Sequence, residues 1–252
     1  RHASQRELVK LAVGILGILS GSDDLETLMT LGRHEEFTLY AAVAIQATRE
    51  DADRQLFILA QRVGGWGRIH VVERLAESTD PEVHDWLLRE GFRSEIMDVY
   101  LALLCARVAD LAGALRDVEA VEEELMTGAA EILFSLCEGS PNEDIDDYDQ
   151  AAVACLHYVQ VLEQRPQWWS TTHLRTLCRI AALLSEGEEL EGEVAPIGIE
   201  VDAEYLWAQR LEQSGWTPQR RETIESSAIG LLRQPRWAEL VEAGLADPSR
   251  EA

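Results

Sequence analysis

The sequence predicts an all-α protein in which antiparallel helix pairs stack into a right-handed superhelix, closed toward the C-terminus by an irregular helical cap. Three observations carry this expectation. Shifting the first 115 residues by 30 brings Val9, Leu39, Ile69 and Val99 into coincidence, then Ala12, Ala42, Val72 and Ala102, then Ile15, Ile45, Leu75 and Cys105. A fixed period of about 20–50 residues marks a stacked array, in which each unit buries its apolar face against its neighbours. Short and long helical segments alternate through that region, and glycine or capping signals separate them. After residue 115 the register is lost while helical periodicity persists. Residues 1–115 are therefore expected to hold four repeats, and 116–252 a divergent continuation and cap with an acidic loop at 185–202.

Ser4 with Glu7 forms the S-x-x-E pattern of a capping box, so a first helix is expected from Ser4 through the apolar run Leu8 to Leu19. Ser22 and Asp23 open a short helix carrying Leu25, Leu28 and Leu31, which Gly32 closes; a longer one spans Glu35 to Thr48. Asp51 to Val63 gives the next short helix, Gly64-Gly65 breaks it, and Trp66 to Glu77 gives the next long one. Thr79-Asp80-Pro81-Glu82 is a start signal, because proline at the first helical position gives up no needed hydrogen bond while Thr79 or Asp80 caps. Gly91 is the stop, and Ser94 to Val108 the fourth long helix. Ser20, Glu50, Asp80 and Asp110 recur at the same interval and are placed to cap or favour the helix that follows. Beyond 115, helices are expected near 117–137, 146–164, 171–185, 203–213, 218–232 and 235–244, with Asp202 and Thr217-Pro218 as caps.

The segments Gly67-Arg68-Ile69-His70-Val71-Val72-Glu73-Arg74-Leu75 and Thr79-Asp80-Pro81-Glu82-Val83 resemble the second helix and the inter-repeat turn of HEAT-like repeats. The resemblance covers residues 4–115 and is one of fold. It implies an α-solenoid, and no single activity, since that family spans scaffolds, transport adaptors and enzymes.

The 252 residues carry 22 basic and 46 acidic side chains, a net charge of −24. A field of that sign repels nonspecific polyanions, which disfavours nucleic acid and anionic membrane surfaces as partners. Cys105, Cys137, Cys155 and Cys178 lie far apart in apolar helical stretches with no C-x-x-C pair, a pattern of structural thiols in a reducing compartment. No uninterrupted run of about 18 apolar residues is present. A cytoplasmic protein without membrane attachment is expected.

Lys10, Tyr40, His70 and Tyr100 occupy one repeat position. His70 shares a helix face with Arg74 and neighbours Trp66 and Glu73. If this face lines the inner curve of a solenoid, Tyr40, Trp66, Arg68, His70, Glu73, Arg74 and Tyr100 form a groove for a partner; otherwise they cover the seam between repeats with wet polar tips. Trp168, Trp169, Trp207 and Trp216 are a second candidate patch, weighed against simple packing of the cap. No catalytic residue, metal site or cofactor is expected. His34-Glu35-Glu36 and His84-Asp85 lack metal-ligand spacing, and in the acidic run from Asn142, Asp147 stands where a calcium loop needs glycine. The expected function is noncatalytic protein binding, with an acidic surface suited to a basic partner. The alternative is a repeat-fold enzyme or small-molecule binder using a groove around Tyr40, His70 and Tyr100. A deep pocket around a buried His70 would distinguish it.

Overall fold

The computed structural model describes residues 2–19, 24–139, 143–189 and 215–246, and every regular element among them is helical. The chain is all-α and divides into two compact units, 1–109 and 110–252. Among the described residues no helix is long and apolar enough to cross a membrane.

The first unit contains α1 (His2–Leu19), α2 (Leu25–Gly32), α3 (Glu35–Thr48), α4 (Ala52–Ala60), α5 (Gly65–Val72), α6 (Pro81–Trp86) and α7 (Val99–Val108). The long helices pack in series, α1 on α3, α3 on α5 and α5 on α7, while α2 packs on α3 and α4 bridges α3 and α5. Serial packing of neighbours is what a helical repeat requires. Equivalent positions are buried together in the second, third and fourth copies: Ala42, Val72 and Ala102 have no exposed surface, nor do Ile45, Leu75 and Cys105. The first copy differs, for Ala12 is exposed and Ile15 is 44% exposed.

Local chemistry sets the helix ends. The His34 ring accepts from the Glu36 N–H at 3.3 Å and starts α3. Asp80 accepts from the Glu82 N–H at 2.9 Å with Pro81 at the first helical position, so of the two expected caps Asp80 is used. The expected caps Ser20, Ser22 and Asp23 lie outside the described residues. Three expected boundaries are corrected. The first helix is already formed at His2, so it does not start at Ser4. The helix beginning near Trp66 tightens into a 3-10 turn at Glu73–Leu75, and α6 widens into a π turn at Leu87–Gly91. The fourth long helix starts at Val99 rather than Ser94, because side chains capture the backbone ahead of it. The Ser94 hydroxyl accepts from the N–H groups of Ile96 and Met97, and Asp98 accepts from the Ser94 N–H at 3.2 Å.

The second unit contains α8 (Leu111–Ala114), α9 (Glu123–Glu138), α10 (Ala151–Gln164), α11 (Thr171–Glu189), α12 (Pro218–Leu232) and α13 (Arg236–Ala246). α9 packs on α11, α10 packs on α8, α9 and α12, and α11 reaches α12 and α13. Asp110, with φ 47°, starts α8 by accepting from the Gly113 N–H, and Thr217 caps α12 through the Arg220 N–H. α10 begins later than the sequence suggests because Asp144 and Asp147 close a reciprocal capping box around a 3-10 turn at Ile145–Asp147. α11 continues to Glu189, into the stretch expected as an acidic loop from 185. The rest of that loop, Asp202 and the expected helix 203–213 lie outside the described residues.

Candidate functional site

The site is built on the start of α5. Gly65 has φ 57°, a left-handed conformation that favours glycine. A Cβ on Gly67 would stand 2.9 Å from the Thr38 hydroxyl, so its absence lets α5 lie close against α3. A Glu35 carboxylate oxygen accepts from the Trp66 N–H at 3.3 Å, tying the first turn of α5 to the first turn of α3. These constraints fix the backbone from which Trp66 projects.

Trp66 is 45% exposed, and its ring centre lies 5.4 Å from that of Tyr100, itself 42% exposed. The His70 ring is 6.5 Å from Trp66, one turn along, and its Nδ1 is 3.6 Å from a Glu73 carboxylate oxygen. Ile96 and Met97, ahead of α7, are exposed as well. Tyr40 holds the equivalent place on α3, with the Lys10 ammonium 5.8 Å from its ring centre. Hydrogen bonds to Glu7 and Glu36 raise the Lys10 pKa. Trp66, Tyr100 and His70, with the Glu73 carboxylate at their edge, form a strip of solvent-facing groups over α5 and α7, which the exposed ring of Tyr40 continues by repeat position on α3. Such rings offer large apolar area and faces attractive to cations.

Two predicted groove residues are turned to backbone instead. Arg68 donates to the carbonyls of Val63, Glu90 and Arg93 at 2.9–3.2 Å, and its guanidinium lies 5.6 Å from the Trp86 ring centre. Burial lowers its pKa. Arg74 donates to the His70 carbonyl at 2.5 Å. The strip is therefore Tyr40, Trp66, His70, Glu73 and Tyr100, without the two arginines.

The second candidate patch does not form a surface among the described residues. Trp216 is fully buried, and Trp169 is buried with its N–H donated to the Leu162 carbonyl and its ring stacked 4.4 Å from Trp237. Trp168 is half-buried with the Arg165 guanidinium 5.5 Å from its ring centre. Trp207 lies outside the described residues. His34 and His84 are structural: His34 caps α3, and the His84 Nε2 meets the Ser78 carbonyl at 2.6 Å.

Two clusters in the second unit left no sequence signal. The buried Tyr158 phenol hydrogen-bonds His173 Nδ1 at 2.9 Å, and burial holds His173 down at about pKa 4. Burial also pushes the phenol well up, against an opposing hydrogen bond with Thr176. Cys137 and Cys155, 18 residues apart in sequence, meet across α9 and α10. The Cys155 thiol is pushed up by its hydrogen bond with Cys137 and then by burial. Both clusters arise from interhelical packing at irregular spacings. Among the described residues no three His, Cys, Asp or Glu side chains gather as a metal site would need. No protein-family model, curated protein or solved structure matches this chain.

Proposed function

We propose that this chain is a noncatalytic protein-binding module of the HEAT-like repeat type, and that it recognises a partner with a basic surface through the Tyr40, Trp66, His70, Glu73 and Tyr100 strip. The observation that carries this reading is the Trp66–Tyr100 contact: two large aromatic rings 5.4 Å apart with more than two-fifths of each residue in solvent. Tryptophan and tyrosine are the side chains that most often anchor interfaces, and clustered exposed apolar surface marks contact sites. The net charge of −24 supports a cationic partner, whose arrival it accelerates and whose acidic competitors it repels. The enzymatic alternative has less support. His70 and Glu73 stand one-third and one-half exposed, so nothing around them excludes water.

The test is cross-linked capture from the native host at low and high salt, with Trp66→Ala/Tyr100→Ala as the control bait. A partner lost both with salt and with the double variant supports the reading. Capture indifferent to the two substitutions moves the interface elsewhere on the chain.

A further inference from the structure

From Leu8 to Leu19 the only charged residue of α1 is Lys10, so the helix is apolar around nearly its whole circumference. That pattern belongs to helices covered on more than one side. Here α3 covers one side, where Val13 is fully buried. On the other side Leu8, Leu11, Ile15, Ile18 and Leu19 form a ridge, from 44% exposed at Ile15 to 83% at Ile18. Their spacing of three and four residues places them on one helix face.

A groove runs beside this ridge. Gly14, Gly17 and Ile18 of α1 and Tyr40, Val43 and Ala47 of α3 border a space of about 430 Å³. A Cβ on Gly17 would sit 2.9 Å from the Ala44 Cα, so that glycine lets the helices touch, while Gly14 has nothing within 4 Å and leaves the groove open.

We propose that this face is the interface of a two-fold symmetric homodimer, with the α1 ridge of each copy seated in the α1–α3 groove of the other. Three arguments favour a second copy as the occupant. A two-fold interface must be self-complementary, and one patch here holds both the protruding ridge and the recess that fits it. The ridge with Tyr40 and Val43 gathers seven large apolar or aromatic side chains, from 37% to 83% exposed, a contiguous patch of the kind that marks an interaction site rather than an ordinary monomer surface. Charge points the same way. From Leu8 to Leu19 the ridge carries no acidic residue, and Glu7, one turn before Leu11, is paired with Lys10 at 3.0 Å, while Arg6 is paired with Glu36, so the face offers a basic protein no unpaired carboxylate to select. Repulsion between two copies of charge −24 acts at longer range and is screened beyond about 8 Å at physiological salt. The dimer therefore holds or tightens as salt rises, opposite to the binding proposed for the aromatic strip. The two proposals share only Tyr40 and fail separately, since this one uses neither Trp66 nor Tyr100.

Sedimentation equilibrium of the full chain tests it, with twice the 28.2 kDa monomer mass as the expected result. Ile18→Glu is expected to weaken self-association by about 100-fold with circular dichroism unchanged, because the side chain faces solvent in the monomer. Gly14→Leu attacks the same interface from the groove side, at a position with room for the added side chain. Raising salt tenfold leaves the dissociation constant unchanged or lower. A chain that stays monomeric at about 100 μM overturns the proposal, whatever else then covers α1. So does a dimer indifferent to both substitutions, or one that dissociates with salt, or open-ended growth beyond two copies.

Discussion

The two units of this chain differ in where they place tyrosine and tryptophan. The first leaves Tyr40, Trp66 and Tyr100 between 37% and 45% exposed on successive helices, whereas the second buries Tyr148, Tyr158, Trp169 and Trp216 to 8% or less. Composition does not separate these cases, for both units are acidic and helical. Topology does. In the first unit the helices stack in series on small residues such as Ala42, Ala44 and Ala102 and on the buried rings of Phe57 and Phe92, while Tyr40, Trp66 and Tyr100 stay in contact with solvent. In the second unit Tyr148, Tyr158, Trp169, Trp216 and Trp237 lie in the core along with small residues such as Ala129, Ala130 and Ala154. An exposed ring such as Trp66 therefore adds little to the folded core, whereas a buried one such as Trp216 bears on stability.

The hardest blow to the comparison is aimed at the shared requirement beneath it. Val72→Asp places a carboxylate where the native side chain has no exposed surface, and is expected to cost about 3–5 kcal/mol or to unfold the first unit outright. A folded product by circular dichroism, with native melting, would show that the position is not in the stack. Next in size is the contrast between tryptophans. Trp216→Ala is expected to cost about 3–5 kcal/mol through lost burial and the cavity left behind, and Trp66→Ala less than about 1 kcal/mol. Urea denaturation measures both. Similar costs would abolish the distinction between the units.

Much of the fold was legible because helix ends are written locally. The start of α12 follows from the expected Thr217-Pro218 cap, and the start of α3 at Glu35 is expected as well, although the side chain that caps it, His34, carries no cap signal. The start of α7 was not legible. A helix from Ser94 is expected from the sequence, but Glu95 enters the left-handed region at φ 66°, and the chain makes a side-chain-capped turn before the helix. The site was half legible. The 30-residue register relates Tyr40, His70 and Tyr100, but whether an arginine faces solvent depends on which carbonyls lie in reach. Arg68 finds those of Glu90 and Arg93, more than 20 residues away, which no local pattern encodes. The Tyr158–His173 pair is hidden for the same reason.

That pair provides a third, intermediate effect, and one confined to the second unit. His173 is held at about pKa 4, below the ordinary 6.5, because burial penalises its charged form. With a lowered folded-state pKa, the unfolded chain binds the proton more readily. The contribution to stability is thus complete above about pH 6.5 and is lost as pH falls toward 4. Between pH 7 and pH 5 the loss from this group is about 2 kcal/mol. Urea titrations at the two pH values, read by hydrogen exchange in α10 and α11, check it against His173→Gln. The histidine's share is the part of the pH dependence that the variant lacks. If the variant retains the full dependence, surface carboxylates rather than this buried imidazole govern acid sensitivity.

The smallest effect asks where the units are alike. Each uses a polar cap followed directly by proline at the first helical position, Asp80-Pro81 in α6 and Thr217-Pro218 in α12. The proline sets the backbone angle, and the cap oxygen satisfies one free N–H. Asp80 accepts at 2.9 Å and carries a charge that suits the positive end of the helix, while Thr217 is neutral and accepts at 3.3 Å. Asp80→Ala is therefore expected to cost about 1 kcal/mol and Thr217→Ala about 0.5 kcal/mol, both measured by urea denaturation at pH 7. The order of the two costs is the informative part. A larger loss at Thr217 would mean that the irregular second unit depends more on its helix ends than the stacked first unit does, because its crossings supply less of the stability that helical packing normally provides.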